Sequence, residues 1–83
     1  MIREHDRVVL TAPLREEGLE PGDIGAVVHV YPRDEAYEVE FVTLTGKTAA
    51  VVTVPAGLVR PVGSGEIPHA RALAHGPTSG SSQ

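Results

Sequence analysis

Cysteine and tryptophan are both absent from this chain. Without cysteine there is no disulfide framework, no thiolate metal site and no thiol catalysis, so stability has to come from packing. Aromatic residues are scarce as well, Tyr31, Tyr37 and Phe41 being the whole set. No apolar run approaches the roughly 20 residues that span a bilayer. The opening MIREHDR is charged and has no signal-peptide core behind it. A cytoplasmic protein with no membrane contact is the expectation. Base is in deficit too: the net charge is −4, and residues 1–61 account for it with six Lys/Arg against ten Asp/Glu. Such a surface repels phosphate backbones unless its cations cluster, which makes nucleic acid the less favoured partner. The 83 residues allow one domain at most, and chains of about 60 ordered residues bury only about 60% of their unfolded surface. The core is expected to be small.

The stretch GDIGAVVHVYPRDEAYEVEF, residues 22–41, organises the rest. Pro21-Gly22 suits the central positions of a type II turn, where proline presets φ and glycine accepts φ > 0. A strand is predicted from Ile24 to Tyr31, and Gly25 within it marks a bulge or a close backbone approach. Without a bulge Ile24, Ala26, Val28 and Val30 face one way; with one, Val27 and Val30 both point inward. In the partner strand Tyr37, Val39 and Phe41 alternate with Glu38, Glu40 and Val42, which predicts an apolar inner face and a largely acidic outer one. Pro32-Arg33-Asp34-Glu35 supplies the reversal.

Before this hairpin, Asp6 to Leu10 reads as a strand. The long loop from Thr11 to Pro21 is expected to fold Leu14 and Leu19 back onto the core, and Gly18 limits any helix in it to a single turn. After the hairpin, Thr43 to Lys47 is a turn with a late glycine, and valine-rich Thr48 to Val54 is the next strand. Pro55-Ala56-Gly57 ends it, and Leu58-Val59-Arg60 adds a short last strand closed by Pro61. The expected architecture is all-β: a small SH3-like five-stranded barrel over residues 1–62, with an open meander as the alternative. Residues 63–83 are rich in Gly, Ser, Pro, His and Thr and are expected to be a flexible tail.

The segments EHDRVVLT, EEGLEPGDIGAVVHVY and AYEVEFVTLTGKTAAVVTVPAGLVRPV resemble a small bacterial family known only as a domain of unknown function, DUF4926, over residues 4–62. More loosely, the G-D-x-G-x-V-x-x-V step is similar to the turn-and-strand element of KOW motifs and of SH3-like accessory subunits such as the nitrile hydratase β-chain. The resemblance implies a small non-catalytic barrel. Members encoded beside toxin-like proteins imply an antitoxin or immunity role for it, and the KOW likeness implies nucleic-acid or ribosome association as the alternative.

No catalytic, cofactor or metal set is expected from the residues. Ser64, Ser79, Ser81 and Ser82 all fall in the tail, where nothing rigid holds a base beside them. His5, His29, His69 and His75 lack the i, i+4 spacing of a helical metal pair, although His5 and His29 would approach if the first two strands pair. Gly22-Asp23-Ile24-Gly25 matches the GxxG loop of RNA-binding KH domains only in letters, since those need flanking helices. What remains is the acidic group Asp34, Glu35, Glu38 and Glu40, read as an exposed face able to steer a basic protein partner. Because composition breaks at Val62, a chain truncated there is expected to keep its melting temperature within about 5 °C, near 1 kcal/mol for a domain of this size. Thermal melts of both lengths check this.

Overall fold

The computed structural model describes residues 1–73. Its first reversal follows from turn chemistry: Gly22 takes φ +96°, and the Asp23 N–H donates to Glu20 O at 3.1 Å across Pro21-Gly22. From this turn β2 (Ile24–Val30) runs antiparallel to β1 (Arg7–Leu10), with Val9 opposite Ile24 and Val8 opposite Gly25. Between the two strands, the loop makes one 3-10 turn at Arg15–Glu17 that Gly18 ends at φ 73°. Leu14 and Leu19 then pair with each other, and Leu19 is buried as a plug against the core.

Gly25 marks a close approach rather than the bulge. A Cβ there would lie 2.5 Å from Val39 Cγ1 and 3.0 Å from both Glu40 O and Phe41 Cδ1. The register shift comes later, between Val27 and His29. The extra residue turns Val28 out to solvent, so Val27 is fully buried and Val30 also packs against the core. Of the two inward sets open from sequence, the structure takes the bulged one.

β3 (Ala36–Val42) buries Tyr37, Val39 and Phe41, as its alternation predicts. β4 (Thr48–Pro55) buries Val54 and packs Val52 and Ala50 beside it. A 3-10 turn at Ala56–Leu58 leads into β5 (Val59–Pro61), which pairs with β1. All pairings are antiparallel, and the five strands lie in the order β4-β3-β2-β1-β5. The end strands β4 and β5 do not pair, so the barrel is open. Even so, Val54 and Val59 from those two ends share one cluster with Val8, Leu10 and Phe41, which requires the sheet to curl around a single core. No helix of the described residues is long and apolar enough to cross a membrane.

The sheet ends at Pro61, and residues 63–73 add neither strand nor helix. His75, Ser79, Ser81 and Ser82 lie outside the described residues.

Two substitutions test this packing. Gly25→Ala drives a methyl into Val39 and a backbone carbonyl, and overpacking of that kind costs about 2 kcal/mol, so the melt should fall by about 10 °C. Phe41→Ala empties the largest apolar position of β3 at a cost of about 3 to 5 kcal/mol, enough to unfold so small a domain. Circular dichroism melts read both.

Candidate functional site

Strand alternation turns Glu38 and Glu40 to the outer face of β3, about 7 Å apart by the strand repeat. Glu38 lies opposite His29 of β2 and Thr53 of β4, and Glu40 lies opposite Ala26 and Val51. Their carboxylates are oriented by hydroxyl groups. Glu38 Oε1 accepts from Tyr31 Oη at 3.1 Å and from Thr53 Oγ1 at 2.6 Å, while Glu40 Oε2 accepts from Thr48 Oγ1 at 2.6 Å. The donors are neutral, so they fix the carboxylates without cancelling their charge. The second oxygen of each carboxylate accepts no hydrogen bond among the described residues.

The reversal that carries Asp34 and Glu35 is unusual. Arg33 and Asp34 both take positive φ, 64° and 55°, and the Glu35 N–H reaches Pro32 O at 3.4 Å. This left-handed pair is a conformation that Asn-Gly ordinarily fills. The turn places Glu35 on the rim of a shallow open groove, together with Tyr31, Pro32, Arg33, Ala36 and Thr53. Tyr31 and Thr53, which line this groove with Glu35, also hold Glu38, whereas neither Glu38 nor Asp34 lines it. Arg33 Nη1 approaches Glu35 Oε2 at 3.6 Å, with both side chains largely in solvent.

The first two strands do pair, and the His5 N–H donates to Val27 O at 2.7 Å. His29 stands edge-on to the Tyr31 ring, with centroids 4.6 Å apart, and its Nδ1 is 4.0 Å from Glu4 Oε2. Among the described residues no three His, Asp or Glu side chains group as a metal site. Tyr37 and Phe41 are buried in the core, which leaves Tyr31 as the aromatic residue of the surface. The cations are dispersed: Arg33 pairs with Glu35, Arg60 with Glu66, and Arg71 with Asp23 and Glu20.

Sequence reading found the glutamates through their alternation but missed the groups that hold them. Thr48 and Thr53 carry a usable signal only once the β3–β4 register is known, because that register sets Thr53 against Glu38. Tyr31 meets Glu38 from the end of β2, beyond the bulge.

Residues 4–61 match the family described as Domain of unknown function (DUF4926). No curated protein and no solved structure matches.

One carboxylate has a charge-coupled titration that can be measured. The Arg60 guanidinium, with help from the Gly63 N–H, holds the Glu66 carboxyl at about 2 against an ordinary 4.5. A carboxylate depressed in the folded state adds stability above pH 4.5 that is lost as the pH falls through about 2. A carboxyl NMR titration should place its midpoint near 2, and Arg60→Ala should move that midpoint up toward the ordinary range.

Proposed function

The chain belongs to the DUF4926 family, and from that premise we propose that it is a non-catalytic binding module whose acidic strand face recruits a basic segment of a partner protein. An accessory subunit in the cytoplasm, of the antitoxin or immunity kind, fits this reading. One observation carries it: Glu38 and Glu40 are held by hydroxyls rather than by cations. Carboxylates oriented in advance and still charged present a ready counter-surface for lysine or arginine, and little ordering cost is left to pay on contact. Glu35 lines the adjoining groove, where Arg33 offsets its charge.

A second feature supports a protein partner. β4 is the next strand after the acidic one, and its far edge has no partner strand among the described residues. An extended segment added there would gain main-chain hydrogen bonds, and its long basic side chains could reach across Thr53 and Val51 toward Glu38 and Glu40. Recognition of single-stranded nucleic acid instead requires aromatic faces beside clustered cations. The burial of Tyr37 and Phe41 and the dispersal of the arginines argue against that reading.

The test needs a substitution that removes charge and keeps the hydrogen-bond acceptor, hence Glu38→Gln with Glu40→Gln. With a partner purified on the unmodified chain from its own cells, the double variant should remain folded and bind about tenfold more weakly at low salt. Its affinity should also respond less to added salt. Unchanged association would sink the acidic-face reading. RNA or DNA binding by the unmodified chain, weakened by Arg33→Ala or Lys47→Ala, would replace it with the nucleic-acid one.

A further inference from the structure

The loop between Gly18 and Asp23 holds a guanidinium. Arg71 Nε donates to Asp23 Oδ1 at 2.9 Å and Arg71 Nη2 to Asp23 Oδ2 at 2.5 Å, a fork-on-carboxylate arrangement. The same Nη2 donates to the Gly18 carbonyl at 3.1 Å, and Glu20 Oε1 stands 3.8 Å from Nε. The side chains of Arg71 and Asp23 are only 26% and 18% exposed, so this pair is more enclosed than the Arg33–Glu35 or Arg60–Glu66 pairs.

The groups that grip Arg71 are also held by contacts of their own loop. The Glu20 N–H donates to Asp23 Oδ2 at 2.9 Å, the Asp23 N–H closes the turn onto Glu20 O, and Leu10 N–H donates to Asp23 O at 2.8 Å. Gly18 is fixed in the left-handed conformation that ends the 3-10 turn, which aims its carbonyl at the same point. Burial pulls the Asp23 carboxyl upward, but the Arg71 hydrogen bond, the Glu20 N–H and the Arg71 charge outweigh it and leave the group ionised well into acid. The occupant, by contrast, is weakly committed. Every residue from Pro61 to Ala70 is exposed, and the only backbone hydrogen bond within the described tail joins Glu66 to Gly63. Beyond the exposed Arg60–Glu66 pair, one side chain at the end of a short span therefore makes the contact, at an effective concentration of roughly millimolar.

We propose that the Gly18–Asp23 loop is a binding site for an arginine side chain, filled in the isolated chain by its own Arg71 and filled in a complex by an arginine of the basic partner. A partner that brings other contacts outcompetes a tether of this strength, and the tail is released as it binds. Lysine is a poorer occupant, because one ammonium cannot bridge both Asp23 oxygens and the Gly18 carbonyl in a planar fork. The partner's basic character rests on the preceding reading; the chemistry of the loop does not.

The site is tested without any partner, using N-acetyl-arginine amide and its lysine counterpart as probes. Backbone amide shifts of residues 18–23 are followed in the full chain, in Arg71→Ala, and in Arg71→Ala with Asp23→Asn, which keeps an acceptor for the Glu20 N–H. A tether closed nine-tenths of the time weakens an outside ligand about tenfold, so Arg71→Ala should bind the arginine probe about tenfold more tightly than the full chain. Arginine should exceed lysine, and Asp23→Asn should abolish binding. Equal affinity in the full chain and Arg71→Ala, equal affinity for both probes, or no binding by Arg71→Ala would overturn the proposal. None of these outcomes bears on Glu38 and Glu40, so either reading can fail alone.

Discussion

The close approach of β2 to β3 at Gly25 is the constraint from which the rest of the fold follows. Val39 and Phe41 fill the space that any side chain at position 25 would need. With the strands seated there, Val27 drops fully into the core, and the bulge after it throws Val28 outward so that Val30 can return. A bulge bends its strand and increases its twist. That bend is what brings β4 and β5, at opposite ends of the strand order, over one set of buried side chains. A flat sheet of the same strands would leave its apolar face uncovered, which a domain of this size could not tolerate.

Much of this was legible in advance, for identifiable reasons. Tyr37, Val39 and Phe41 announce their strand because period two is the only pattern they fit, and Pro21-Gly22 announces its turn because both residues favour one backbone geometry. The position of the bulge was not legible. The chain's one internal strand glycine pointed to position 25, and the structure spends that glycine on steric clearance instead. Arg33 gave no warning of its left-handed backbone, since arginine is not a residue that such a turn selects, although Asp34 is of a type that tolerates it. The acidic strip was half legible: alternation turns Glu38 and Glu40 to the outer face, where both are half-buried rather than fully exposed, and the hydroxyls that orient them arrive from two other strand regions. The Arg71–Asp23 pair joins residues 48 apart, and no local pattern encodes it.

Five of the eleven carboxylates fall into two electrostatic kinds. Asp23, Glu35 and Glu66 face guanidinium groups, and their charge is spent within the molecule. Glu38 and Glu40 face alcohols and project theirs outward. The division matters more than the net charge of −4, because it locates where the surplus acts. It also explains how an acidic chain can keep its cations from forming a competing surface: three of its seven are already engaged with acids of their own chain.

The openness of the sheet carries a consequence for stoichiometry. Its two margins are unequal: β5 offers three residues ending in proline, whereas β4 offers eight with no charged side chain among them. Propagation of a sheet from copy to copy needs two live margins, one to receive and one to donate. This molecule has one of useful length. Two copies that paired β4 to β4 would close as a pair, because neither would keep a second margin of that length.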